Sequence, residues 1–580
     1  MHTTLDRILF RAADLNRATV NFWQTPAHTQ AWSYERCVHD ALLVTGALQE
    51  RGLRRGDRVG LVLPTHADFY RAFFGVILAG GIPAALYPPV RLGKIDAWKD
   101  RTAAMLRAID CSAVLTDARL YGLLGQPVRQ TAPPLGCFTV QALMREAAHG
   151  THTEVHSDDL AVVQFSSGTT RNPRPIALTH ANILSNAQAI LASLPGDALQ
   201  HSGVSWLPLY HDMGLVGNLV SAMLVPAPLT LIRPEQFVAR PRVWLEAMTQ
   251  SQATVSGAPN FAFGLCAERL QETDLAGLDL SRWQVAFCGA ETVHPQTLQA
   301  FARRFAPVGF NARALAPVYG LAEATLAVTL SSFDAPPRFT SFNRHALERK
   351  GRAMAAHSGI QLAALGQPLA GVEVEIREVH GEALPPGHLG RLWVRGPGVM
   401  QGYLDQPQAT RQVLQAGWCD TGDQGFFHDG QLYLFGRVSD IIIIRGHNHD
   451  PAQIERSLHG IAGLRAGCAV AFGIADVDRG TERLVVLAEY RVTPSLADQS
   501  RLEAEGRAAI QASCNLQVSD WILLPPGTLP RTSSGKLRRR ETRRLWQTGT
   551  LRAPASSGIG TLIRQTLSGL WAQRQARHQR

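Results

Sequence analysis

A large α/β protein is expected: an N-terminal domain of helix-covered, mainly parallel sheets with a β-rich subdomain, and a small mobile α/β domain at the C-terminal end. Three observations carry this. Short apolar strands alternate with helical segments through residues 58–288, the rhythm of strands joined by crossover helices. Between about 366 and 436 the texture changes to apolar–polar alternation with turn signals. Residues 441–545 then resume an α/β pattern of their own. A chain of 580 residues has room for several such units.

Residues 58–63, Arg-Val-Gly-Leu-Val-Leu, form a buried strand, and a helix follows from about Asp68. The longest apolar stretch, 72–87, is too short to span a bilayer and is broken by Gly80-Gly81 and Pro83. It reads as a buried helix, a Gly-Gly stop, and a strand at 82–86. Residues 113–116, 161–165 and 285–288 are further strands, the last running into Gly289-Ala290. In the β-rich region Val372, Val374 and Ile376 alternate inward, with turns at Pro385-Pro386-Gly387 and Gly396-Pro397-Gly398. Strands near 441–444, 469–472 and 484–488 build the C-terminal unit. The boundaries expected are 1–436 for the N-terminal domain, with its β-rich part at about 366–436, a hinge at 437–440, and 441–545 for the lid. Residues 546–580 are a linker and tail. In the tail, apolar residues at helical spacing precede Arg574, Arg577 and Arg580, a pattern that fits docking to a partner or an anionic surface, packing on the protein itself, or a fraying end.

The charge balance narrows function. The net charge of +10 comes with arginines spread along the chain and no nucleic-acid module, so it suits polyanionic ligands or an acidic partner. Eight scattered cysteines, without metal spacing, read as reduced, buried residues of a cytoplasmic protein. Asp6, Arg7, Arg11 and Asp14 leave no apolar signal core at the N-terminus.

Five motifs carry chemistry. Lys536 lies in Pro530-Arg531-Thr532-Ser533-Ser534-Gly535-Lys536-Leu537, and is one of only four lysines in an arginine-dominated chain. A compact ammonium enters a tight phosphate site that a guanidinium fork overfills; the plainer alternative is a surface lysine. Ser166-Ser167-Gly168-Thr169-Thr170 follows a strand and can converge backbone N–H groups and hydroxyls on an anion, or simply turn the chain. Ser205 to Gly214 places His211 and Asp212 on a short turn, where His211 is a site residue or a structural one. In Tyr319-Gly320-Leu321-Ala322-Glu323 the phenol ring can stack on a base and the carboxylate can hold Mg²⁺. In Thr421-Gly422-Asp423 the carboxylate can accept from two ribose hydroxyls.

In this order the motifs resemble the adenylate-forming superfamily of acyl-CoA synthetases, luciferases and peptide-synthetase adenylation domains, over roughly residues 30–545. The nearest likeness within it is to fatty acyl-AMP ligases. It rests on residues 205–215, Tyr319 to Thr325, Arg445-Gly446-His447-Asn448-His449, and the segment 342–356, where that branch tends to carry an insertion.

The resemblance implies ATP-dependent conversion of a fatty acid to acyl-AMP with release of pyrophosphate. The acyl group then passes to the phosphopantetheine thiol of an acyl carrier protein, as in fatty acid, polyketide or lipopeptide metabolism. Ser166, Ser167, Gly168, Thr169 and Thr170 would cradle the β- and γ-phosphates, and Glu323 would bind Mg²⁺. Gly289, Ala290, Glu291, Tyr319 and Gly320 would frame the adenine, and Asp423 and Arg437 the ribose. Lys536 would bridge carboxylate and α-phosphate oxygens, His211 would lie near the acyl carboxylate or the phosphates, and Asp440 would be the hinge. Met213, Gly214, Asn260 and Phe261 would border the acyl tunnel. Catalytic weight falls on Lys536, His211 and Glu323. A monomer is expected, without nucleic acid or integral membrane association.

The phosphate loop departs from the family's T-G-x-P-K-G. It reads Thr170-Arg171-Asn172-Pro173-Arg174-Pro175, so Arg174 supplies the charge of the missing lysine and Pro175 removes a donor. Cys288 stands where an asparagine is common, and Asp450 where an aromatic is frequent. The competing readings are an acyl-CoA ligase with the same first step and a catalytically silent nucleotide-binding homologue.

Overall fold

Strand 58–63 shows how local chemistry seeds the architecture. Arg58–Val62 is buried on both faces and pairs in parallel with Ile82–Ala85 on one side and Ala113–Thr116 on the other. The helix Ala67–Leu78 connects the first pair and ends in a glycine stop: Gly80 N–H donates to Ile77 O (2.9 Å) and Gly81 N–H to Val76 O (2.9 Å), with Gly80 at φ 79°. The computed structural model describes residues 4–25, 28–89, 95–146, 148–166, 173–378, 381–444, 447–476, 481–532 and 536–553.

Among these, two large sheets carry the N-terminal part. The first has seven strands in the order Gly402–Tyr403, Pro175–Thr179, Leu160–Phe165, Ile82–Ala85, Arg58–Val62, Ala113–Thr116, Gly136–Thr139. It is parallel from Leu160–Phe165 to Gly136–Thr139 and antiparallel at the other edge. The second has nine strands, parallel across its centre from Leu315–Gly320 to Thr19–Thr25 and antiparallel at both ends. A third, five-stranded sheet is antiparallel and includes Glu373–Arg377, Gly390–Arg395, Trp418–His428 and Gln431–Arg437. This is the expected β-rich subdomain on a mixed α/β frame.

Residues 339–363 form a small module of their own. Phe339–Phe342 pairs antiparallel with Ile360–Ala363, and the helix Arg344–Lys350 lies between them. Phe342 and Leu347 are fully buried against Phe426 and Tyr433 of the third sheet.

In the C-terminal part Leu464–Asp476 pairs antiparallel with Thr481–Tyr490, which runs parallel to Val518–Leu524. The helix Leu496–Cys514 makes that crossover, capped by Ser495, whose side chain accepts from Asp498 N–H. Ile442, Ile454, Leu484, Val486 and Ile510 form a core separate from those of the two large sheets. All eight cysteines are buried thiols. Among the described residues no helix is long and apolar enough to cross a membrane.

Candidate active site

Lys536 enters from the C-terminal part. Thr532 N–H donates to Lys536 O (2.7 Å) and Lys536 N–H to Thr532 Oγ1 (3.0 Å), closing a tight turn. Its side chain lines two adjoining cavities of about 430 and 1350 Å³ between the N- and C-terminal parts. Burial pushes the ammonium pKa down, while the negative charges of Asp212 and Glu291 pull it back up. A lysine held in a low-dielectric cleft between carboxylates is poised for an anionic ligand.

The neighbouring groups are carried by strands. Antiparallel pairing sets Asp423 opposite Arg437, and Arg437 Nε donates to Asp423 Oδ1 (2.9 Å). The hydroxyl of Tyr319, at the end of Leu315–Gly320, donates to Asp423 Oδ2 (2.8 Å). Burial and the charge of Asp423 push the Tyr319 phenol well above its ordinary pKa, so it stays a donor. Gly289 allows its strand to lie against Val318; a Cβ there would fall 2.6 Å from Val318 Cγ2. Ala290 then turns the chain at φ 65°. Glu291 Oε1 accepts from Phe261 N–H (2.6 Å), and burial raises its carboxyl pKa.

Glu323 lines the smaller cavity. Its Oε1 accepts from the Tyr403 hydroxyl (3.0 Å), and its backbone oxygen accepts from Met400 N–H (2.9 Å). Arg174 lies over the Tyr403 ring at 4.8 Å. Among the described residues no group of three or more His, Cys, Asp or Glu is placed to hold a metal ion, so a metal at Glu323 would need further ligands from elsewhere. A single carboxylate such as Glu323 fits Mg²⁺, an ion that keeps most of its waters and takes few protein ligands.

His211 is 6% exposed and lines the same cavity. Nδ1 lies 2.5 Å from Asp212 Oδ1, yet among the described residues neither ring nitrogen has a hydrogen bond of acceptable angle. Burial acts against the Asp212 charge, but His211 and Lys536 hold its pKa below the ordinary carboxylate value. Beyond His211 the chain forms the short π-helix Leu215–Val220, steadied by Asn218 Nδ2 donating to Met213 O (2.7 Å). The far wall of the cavity is apolar, built by Ile190, Met213, Val255, Phe287, Leu326 and Leu330.

The residues singled out in the sequence are distributed as follows. Ser166, His211, Met213, Ala290, Tyr319, Gly320, Glu323, Arg437 and Lys536 line the smaller cavity. Asn260, Phe261, Glu291, Asp423 and Asp440 line the larger one. Gly214 lines neither: its Cα packs where a Cβ would fall 2.1 Å from Pro208 O, so it serves the turn and not the tunnel wall. Asn260, at the larger cavity, has its Oδ1 accepting from His294 N–H (2.9 Å). Ser167, Gly168, Thr169 and Thr170 lie outside the described residues, as do Arg171, Asn172, Arg445 and Gly446.

The motifs gave no sign of Tyr403 or of the contacts around Asp440. Arg539 Nη1 and Arg540 Nε approach the Asp440 carboxylate at 3.6 and 3.5 Å, and Arg539 also holds Glu455 through two bonds of 2.7 Å. The arginine run after Lys536 was the available signal for that contact.

A nucleotide-sized cleft, an acidic and aromatic wall, and a half-buried lysine from the C-terminal part mark an adenylate-handling enzyme. Residues 10–404 match the AMP-binding enzyme family, and the chain belongs to it. It is 35% identical over 521 residues to the long-chain-fatty-acid–AMP ligase FadD23 of Mycobacterium tuberculosis, covering 85% of this chain and 87% of that protein. A structure from a study of fatty acyl-adenylate ligases of E. coli and L. pneumophila superposes with a TM-score of 0.88 at 31% identity, over 94% of this chain and 98% of that one. The fatty acyl-adenylate ligase from L. pneumophila in complex with acyl adenylate and pyrophosphate gives a TM-score of 0.71 at 28% identity, over 94% and 96% of the two chains.

Proposed function

We propose that this protein activates a fatty acid with ATP and passes the acyl group to the phosphopantetheine thiol of an acyl carrier protein. A carboxylate oxygen attacks the α-phosphorus, the bond to the β-phosphate oxygen breaks, and pyrophosphate leaves. In the second step the thiol sulfur attacks the acyl carbon and AMP leaves. The observation that carries this reading is the position of Lys536, half-buried in the cleft that Asp212, Glu291 and the Tyr319–Asp423–Arg437 group also line.

There the ammonium meets the charge that grows on the phosphoryl and carboxylate oxygens. Asp423 and Arg437 hold the ribose, and Tyr319 lies along the base. His211 orients the carboxylate end of the acyl chain. Glu323 would hold Mg²⁺, which when bound would supply positive charge against the phosphates. The apolar wall from Met213 to Leu330 takes the alkyl chain, each buried methylene contributing about 0.8 kcal/mol. Asp440 serves as the pivot between half-reactions.

The test is pyrophosphate release with ATP, Mg²⁺ and fatty acids, then product analysis with CoA or with a holo carrier protein. Fatty-acid-dependent pyrophosphate and an acyl carrier thioester are expected, and abundant acyl-CoA would overturn the acceptor. Lys536→Ala should lower acyl-AMP formation by about 10²–10³-fold while ATP still binds. Normal adenylation by that variant would remove Lys536 from its role.

A further inference from the structure

The backbone beside Glu323 is strained. Thr325, fully buried and β-branched, adopts φ 69° and ψ −59°, and Leu326 N–H donates to Ala324 O (2.9 Å). This is the three-residue turn of positive φ, which costs a residue with a side chain free energy and persists where its surroundings hold it. They do so here. Thr325 Oγ1 donates to Gly398 O (2.6 Å), Asn186 accepts from Ala327 N–H (3.0 Å) and donates to Ala327 O (2.8 Å), and Met400 N–H donates to Glu323 O (2.9 Å). Asn182 Nδ2 anchors the same strap of chain, donating to Pro397 O (2.7 Å) and Val399 O (3.0 Å).

The strap ends at Tyr403, which touches two groups that line the smaller cavity. Gly402 and Tyr403 pair antiparallel with Ala177 and Ile176, and Tyr403 N–H donates to Thr410 Oγ1 (2.9 Å), so the residue is placed by its own backbone. Its hydroxyl donates to Glu323 Oε1 (3.0 Å), and its ring carries the Arg174 guanidinium at 4.8 Å. Arg174 is in turn paired with Ser166: Ser166 N–H donates to Arg174 O (3.0 Å) and Arg174 N–H to Ser166 Oγ (3.2 Å). Tyr403 is 6% exposed, and burial and then the Glu323 charge push its phenol pKa up, so it stays a donor. A tyrosine that only filled the core would need some partner for its hydroxyl. Here the partner is a carboxylate of the cavity, and a cation of the same cavity lies on the ring.

We infer that Tyr403 is a positioning residue: its hydroxyl sets the Glu323 carboxylate for the metal that accompanies ATP, and its ring seats Arg174 for the phosphates. One side chain thereby places an anionic group for the cation and a cationic group for the anion. A carboxylate that binds a metal is oriented by the hydrogen bond it accepts, and loses affinity when that donor is removed. The inference rests on the adenylation reading for the ligands of Glu323 and Arg174.

ATP titrated calorimetrically into the full-length protein, once with Mg²⁺ and once with EDTA, tests the role. Tyr403→Phe keeps the ring and removes the hydroxyl. It should weaken ATP binding about tenfold in Mg²⁺ and leave it unchanged in EDTA. Tyr403→Leu removes the ring as well, and should also weaken binding in EDTA, by about threefold. AMP binding reports that the nucleotide pocket is intact in both variants. Equal losses with and without metal in Tyr403→Phe would make Tyr403 a packing residue and overturn the assignment, as would no loss in either condition or a wild-type affinity indifferent to Mg²⁺. A Tyr403→Leu protein that matches Tyr403→Phe in EDTA would overturn the seating of Arg174. If the metal-dependent loss is seen but the wild-type protein releases no fatty-acid-dependent pyrophosphate, the adenylation reading fails and the role of Tyr403 stands.

Discussion

Tyr319 and Asp423 come from different sheets and meet through one hydrogen bond of 2.8 Å. The bond ties the end of a parallel strand to the middle of an antiparallel one. Arg437 takes the other Asp423 oxygen at 2.9 Å, so both oxygens are held. Removing the Tyr319 hydroxyl leaves the carboxylate one donor short. Tyr319→Phe should therefore raise the KM for ATP roughly tenfold, the equivalent of about 1–1.5 kcal/mol, with a smaller effect on kcat. Steady-state kinetics of acyl-AMP formation decide it; a fall in kcat at constant KM would place Tyr319 in the chemical step instead.

Chain length should be set at the apolar wall of the smaller cavity. A Cβ on Gly217 would lie 3.1 Å from Leu326 Cδ2, a flexible neighbour, so Gly217→Val can be accommodated but fills the slot. Excluding three methylenes costs about 2.4 kcal/mol, or roughly 50-fold in kcat/KM for a long acid. Short acids should be spared. Equal losses for both, across a series of fatty acids, would move the tunnel elsewhere.

The module at residues 339–363 touches the C-terminal part through a buried polar cluster. Arg344 Nη1 donates to Glu348 Oε1 (2.9 Å) and to Gln453 Oε1 (3.1 Å), and His449 Nδ1 lies 3.8 Å from Glu348 Oε2. Burial pushes the Glu348 carboxyl up to about 7 and Asp450 up to about 6, and pushes His449 down to about 4. For Glu348 the folded state binds the extra proton between its ordinary value of 4.5 and about 7. Its contribution is thus fully present below that window and lost as pH rises through it. His449 acts in the opposite sense, losing stability as pH falls from 6.5 towards 4. Glu348→Gln removes only the first effect. Its melting temperature should gain on the wild type between pH 5 and pH 8, by an amount worth on the order of 1–2 kcal/mol. Parallel melting curves would show that Glu348 does not titrate in this window.

Much of the frame was legible because the local signals agreed with one another. The stretch 72–87 was read as helix, glycine stop and strand, and Gly80 and Gly81 close the helix by their own N–H bonds. Apolar runs bounded by turn residues marked the parallel strands to within a residue or two. The site was less legible. Tyr403 carries no motif, and reaches Glu323 only because Gly402–Tyr403 pairs with Pro175–Thr179 at a sheet edge. Gly214 shared a motif with His211 but turned into the packing of its own loop.

By itself the sequence determined the α/β class, the β-rich change of texture, and the set of polar residues able to handle a nucleotide, because these follow from periodicity, turn chemistry and residue type. Only the tertiary structure decided which of them meet. Lys536 lies 113 positions from Asp423 along the chain, and no local preference specifies their approach. It arises because two independently cored parts close on one cleft, where burial and opposing charge select the groups that share it.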